Sequence, residues 1–229
     1  MPHRIKKMRE AIAAQISAAV AETQSTNPIL AELEGNLRGD ILEMKSMESM
    51  QHRHFAKKYK VPKYMHYVSG IVAQDVAVND PITRMMLVWS ADAMLIDEFI
   101  QIARYMVKFD IPMPEGFKVS VQTFITDSAK TMTAHDGNDQ FKAITATQAE
   151  EIYQIIASIE APEQQPNDQS YAKFLRELGK KVEALKSKAS FQRAKEYYEK
   201  ALELDQKVGA KNDLERVNKQ LNDSEKVPK

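Results

Sequence analysis

Apolar residues recur along this chain at three- and four-residue spacings, the period of amphipathic helices. Residues 2–23 read as an Ala-rich helix with a basic start. After a break at 25–27, Asn27 and Pro28 have the chemistry of an N-cap and a first helical position. A helical pattern then runs from Pro28 to about Lys60. Within it Leu30, Leu33, Leu37, Ile41 and Met44 form a seam at spacings of 3, 4, 4 and 3. Such a seam serves a coiled-coil-like oligomer contact or one side of an intramolecular hairpin. Gly35 and Gly39 weaken this helix by about 1 kcal/mol each against Ala. Pro62 is expected to end it and begin the next.

Further on, Asp80-Pro81 is a helix start, an acid before a proline that has no hydrogen bond to lose. Ile82, Met85, Met86 and Trp89 share one face. Ile96, Phe99, Ile100, Ala103 and Val107 share the face of a following helix, and residues 111–116 (IPMPEG) form a loop. A further helix is expected over about 121–134, with a turn at 135–139. Thr145 and Gln148 form a capping box ahead of an Ile152, Ile155, Ile156 and Ile159 stripe. Residues 161–169, with two prolines, read as a linker. The helices after it have tetratricopeptide-like features, Leu178-Gly179 on the first and Ala194, Tyr198 and Ala201 on the second. A single such unit cannot bury both its faces, so it must dock on the rest of the chain or on another protein. The last residues, 223–229, read as a tail. The pattern is all-α, a multi-helix bundle with a C-terminal tetratricopeptide-like helical hairpin.

Composition agrees. With 7 Gly, 12 Met and no Cys, the chain favours helix and has neither disulfides nor thiolate metal sites. No apolar run approaches membrane-spanning length and no secretory leader opens the chain, so a cytoplasmic protein without a membrane partner is expected. Net charge is zero, but it is unevenly spread: +4 over residues 1–68, −9 over 69–169 and +5 over 170–229. An acidic middle between basic ends suggests separate surfaces for separate partners.

The densest chemistry lies in residues 51–67, QHRHFAKKYKVPKYMHY. Arg53, Lys57, Lys58, Lys60 and Lys63 occur there without an acid, among His52, His54, His66 and the rings of Phe55, Tyr59, Tyr64 and Tyr67. Clustered cations neutralise phosphates and release counterions, and neighbouring rings can stack on exposed bases. Arg4, Lys6, Lys7 and Arg9 form a second candidate DNA contact. Lys180, Lys181, Lys186 and Lys188 alternate with Glu residues and read as solvated surface. No phosphate-binding loop is present, so ATP hydrolysis is not expected and no cofactor is implied. Asp92, Asp97 and Glu98 are near one another in sequence but make no recognisable nuclease site. The histidines match no metal-ligand spacing, and no metal is expected.

Residues 80–117 carry a resemblance. Met86, Trp89, Asp92, the run Ile102-Ala103-Arg104-Tyr105, then Met113 and Pro114 match the pattern of the small terminase subunit family of P-two-like temperate tailed phages with cohesive-end genomes. The likeness is strongest over 62–134 and continues through 171–221. One departure is Met94, where that family commonly has Gly, so the turn there must form without one. The resemblance implies a homo-oligomer that binds double-stranded phage DNA near the cohesive-end site and directs the large terminase subunit, which carries the ATPase. It also implies the description "endonuclease subunit". The layout expected is then 1–61 for DNA binding or oligomerisation, 62–160 as a central helical core, 161–169 as linker and 170–222 for docking the large subunit. A helical adaptor that does not bind DNA is the alternative reading.

Overall fold

In the computed structural model, residues 28–138, 141–161 and 164–225 are described, and among them the chain is helical with no strands. The expected helix over 2–23 and the cations Arg4, Lys6, Lys7 and Arg9 lie outside the described residues. The chain divides into two units, the first ending at Lys118 and the second beginning at Val119.

Four helices make the first unit. Helix α1 is Pro28–Ser46 and α2 is Met50–Gln74. The single helix expected over 28–60 is therefore interrupted at 47–49. Ser49 caps α2 by accepting from the His52 amide at 3.3 Å, and Arg53 Nε donates to the Met47 carbonyl at 2.7 Å. These two bonds satisfy polar groups left open by the break. Pro62 lies inside α2 and neither ends nor starts a helix. It cannot donate the usual intrahelical bond to the carbonyl of residue 58, yet the helix runs on through it, with Pro62 itself exposed.

Helix α3, Pro81–Asp92, begins as its sequence indicates. The Asp80 carboxylate accepts from the Thr83 amide at 2.9 Å. Ile82, Met86 and Trp89 are buried and Met85 is half-buried. Thr83, Leu87, Val88 and Ser90 are buried too, so most of the helix circumference is covered. It packs against α1, α2 and α4, the last spanning Ile96–Lys108. Trp89 meets Tyr64 of α2 edge-to-face, with centroids 6.2 Å apart, as a core residue. At the corner between α3 and α4, Met94 takes the left-handed conformation with φ of 53°, and the Leu95 amide reaches back to the Ser90 carbonyl at 2.9 Å. The turn expected to form without glycine does so at the cost of a left-handed side-chain residue. Tyr105 of α4 ties down the connection before α3: its hydroxyl donates to the Val76 carbonyl at 2.8 Å and accepts from the Val78 amide at 2.9 Å.

The second unit holds α5 (Val121–Ala134), α6 (Ala146–Ala157), α7 (Asp168–Glu183), α8 (Lys188–Leu204) and α9 (Lys211–Glu225). Ser120 caps α5, and the Thr145–Gln148 capping box opens α6 as expected. Helices α7 and α8 form a hairpin through 184–187. Helix α7 also packs on α5 and α6, and α9 packs on α8. The apolar side of α7, including Phe174, Leu175 and Leu178, is thus covered within its own unit. Helices on both sides of residues 161–169 share that core.

Candidate nucleic-acid interface

Helix α2 carries no Asp or Glu over its 25 residues. Its cations divide between two faces, because residues three and four apart lie above one another on a helix.

One face turns inward. Arg53, Lys57, Lys60 and Tyr64 follow each other at spacings of 4, 3 and 4. Lys60 is buried, and its Nζ lies 2.5 Å from Asp40 Oδ1 and 2.7 Å from Glu43 Oε2 of α1. The Tyr64 hydroxyl donates to Asp40 Oδ2 at 2.7 Å. Lys57 is paired with Asp92 at the end of α3, and His54 Nε2 stands 3.8 Å from the same carboxylate. Burial alone would raise the Asp40 carboxyl. Hydrogen bonds from Lys60 and Tyr64 and the charges of Lys60 and Lys63 outweigh it, so Asp40 lies below its ordinary value. Burial works against the charge of Lys60, but its bonds to Asp40 and Glu43 raise its pKa. These groups clamp α1 to α2 and α2 to α3.

The other face turns to solvent. His52, Phe55, Tyr59, Lys63 and His66 are all exposed, at spacings of 3, 4, 4 and 3. Phe55 and Tyr59 meet edge-to-face with centroids 5.1 Å apart. Tyr59 is 64% exposed, and the Lys63 side chain is 60% exposed. The acid nearest Lys63 among its ion pairs is Asp40, at 3.9 Å. Lys58 is half-buried beside this face.

The basic stretch read from sequence as one patch is therefore two surfaces. Lys57 and Lys60 hold the unit together, and Arg53 closes the α1–α2 break. Lys63 stands in the open, with Phe55 and Tyr59 beside it. The period alone could have separated them; the acids that occupy the inner face are 17 to 35 residues away in the chain.

The other candidates separate similarly. Within the α1 seam, Leu30, Leu37 and Met44 are buried inside the unit, while Leu33 and Ile41 are half-buried. Asp92 is taken up by Lys57 and His54, while Asp97 and Glu98 lie in the first turn of α4, where acids complement the helix dipole. His135 Nδ1 accepts from the Gly137 amide within its own turn at 2.9 Å. Among the described residues no three His, Asp or Glu side chains are grouped to hold a metal ion, and no helix is long and apolar enough to cross a membrane. Lys180 pairs with Glu177 at 2.7 Å.

Acid pH should loosen both units. Asp40 is lowered, and so are Glu183 and Asp213 of the second unit; there too burial opposes the shift, and hydrogen bonds from Arg216 and Tyr198, and from Arg176 and Arg216, outweigh it. A lowered folded-state pKa means that the unfolded chain binds the proton more tightly. Their stabilisation is full above the ordinary carboxylate range, about pH 4, and is lost as pH falls through the folded values. Asp80, raised by burial, works in the opposite sense. Thermal midpoints should fall between pH 5 and pH 3, and Glu183→Gln should flatten that fall. A midpoint that is constant or rises toward pH 3 contradicts this.

Comparison with known proteins gives a consistent answer. The chain is 22% identical over 221 residues to "Terminase, endonuclease subunit" of Escherichia phage P2, an alignment covering 90% of this chain and 82% of that one. No solved structure matches it. Residues 34–164, which include all of α2, α3 and α4, match the family described as phage small terminase subunit. By that match over more than half its length, the chain belongs to the phage small terminase subunit family, with a role in phage DNA packaging.

Proposed function

We propose that this protein binds double-stranded phage DNA near the cohesive-end site and directs the large terminase subunit to cut and package it. The outward face of α2 carries this reading, with Lys63 exposed beside two rings on a helix that has no carboxylate. Such a face attracts a polyanion by phosphate neutralisation. The basic cluster Arg4, Lys6, Lys7 and Arg9 adds a second contact. The protein acts as a homo-oligomer in the host cytoplasm, with the half-buried Leu33 and Ile41 and the exposed Leu42 of α1 available to a neighbouring copy. The phage P2 relative is called an endonuclease subunit. Here the acids weighed as nuclease ligands are engaged in an ion pair or at a helix start, which favours directing cleavage over performing it.

Binding to duplexes with and without the cohesive-end sequence, measured over a range of salt, tests this. The double variant Lys58→Gln/Lys63→Gln should bind more weakly, with a salt slope smaller by about 0.9 per lost phosphate contact. Unchanged affinity and slope would remove α2 from the interface.

A further inference from the structure

We propose that the outer face of α2 also takes single-stranded DNA, stacking an unpaired base on Tyr59. This rests on the reading of that face as a DNA contact and narrows what it holds.

A closed duplex offers a protein its phosphates, sugars and groove edges, while the flat faces of its bases are covered by their neighbours. A cationic surface that served only duplex would need no exposed ring. Here the side chain with the greatest aromatic exposure, Tyr59, stands at the middle of the stripe, and Phe55 is 38% exposed one turn away. Their edge-to-face contact leaves much of both rings open and holds Tyr59 from one side. Lys63 lies one turn further on, about 6 Å along the axis. That offset suits a phosphate next to a stacked base. A ring followed by a cation is the arrangement by which single strands are held without sequence preference.

Charge argues against the other occupants. A second copy laid face to face would bring two Lys63 ammonium groups into one interface with no carboxylate on either α2 to offset them. An apolar protein partner would bury Lys63 away from water, with only Asp40, at 3.9 Å, for compensation. A polyanion with exposed π-faces satisfies both ring and cation.

The test uses the full chain and labelled oligo(dT) alongside a hairpin duplex of equal length. Tyr59→Ala should weaken oligo(dT) binding about 10-fold, within the range for losing one stacked base, and duplex binding by less than about 2-fold. Tyr59→Phe should retain the affinity. Lys63→Gln should weaken both and lower both salt slopes. If Tyr59→Ala leaves oligo(dT) affinity unchanged, or weakens both ligands equally, the stacking proposal is overturned. Where Lys63→Gln still acts in that case, the DNA-contact reading survives; where neither substitution affects either ligand, it falls as well. Loss of large-subunit capture by Tyr59→Ala, with oligo(dT) binding intact, would make this face a protein docking surface and would also overturn the proposal.

Discussion

Replacing Lys60 with Met should lower the stability of the first unit by about 2–3 kcal/mol, toward the low end of what breaking a buried ion pair costs. Lys63→Gln, three residues away, should leave that stability unchanged within about 0.5 kcal/mol. Lys60 is buried against Asp40, itself largely enclosed, so removing the ammonium strands a carboxylate whose other close partner is the Tyr64 hydroxyl. The loss is moderated because Lys63 stands 3.9 Å from Asp40 and Glu43 is half exposed. Trp89, the only tryptophan, is buried against Tyr64, so its fluorescence reports unfolding of this unit. Urea titration followed by that signal separates the two variants. Equal stability for Lys60→Met and wild type would mean that the Lys60–Asp40–Glu43 cluster contributes nothing and that Lys60 is free for another partner.

The second large effect is expected at Gly179. A Cβ built there would lie 2.4 Å from Tyr198 Cε1 and 2.8 Å from Cδ1. The ring cannot easily yield. Tyr198 is fully buried, and its hydroxyl donates to Glu183 Oε2 at 2.8 Å. Glu183 is in turn gripped by Arg216 through bonds of 2.7 and 2.8 Å, and Arg216 also reaches Asp213, which Arg176 holds from α7. Gly179→Ala should therefore cost about 3 kcal/mol, the upper range for over-packing a core, by pushing α7 and α8 apart. Thermal unfolding by far-ultraviolet circular dichroism measures it. Adding Tyr198→Leu should recover part of the loss, because two residues in contact are not additive. A Gly179→Ala protein as stable as wild type, with no rescue to observe, would show that the hairpin is not packed as described.

Sequence signals were sound where structure is decided locally. Asp80-Pro81, the Thr145–Gln148 box and the 121–134 helix each depend on residues within a turn of one another, and each formed as read. Pro62 departs from the rule that proline ends helices: the helix continues through it, with three of its five buried residues, Tyr64, Val68 and Ile71, after the proline, so tertiary packing outweighs the local cost. The break at 47–49 is the harder feature to read: Ser49 has the chemistry of an N-cap, but no proline or glycine marks the interruption. The candidate site was half legible. A run of cations without acids was visible, but which of them were already paired depended on Asp40, Glu43 and Asp92, brought close only by packing. The truncation near Glu160 that a linker at 161–169 suggests would also remove α7 from the core it shares with α5 and α6, so a boundary at 118–119 is the better place to divide the chain.

The two faces of α2 divide its lysines, Lys60 turned inward to Asp40 and Glu43 and Lys63 turned out to the proposed DNA contact. Lysine-reactivity footprinting by mass spectrometry, with and without a cohesive-end duplex, tests this division most directly. In free protein Lys63 should react readily and Lys60 hardly at all; with DNA bound, Lys63 should become protected while Lys60 stays unreactive. Lys63 that reacts equally in both states, with protection confined to Lys180, Lys181, Lys186 and Lys188, would contradict the assignment and move the DNA contact to the second unit.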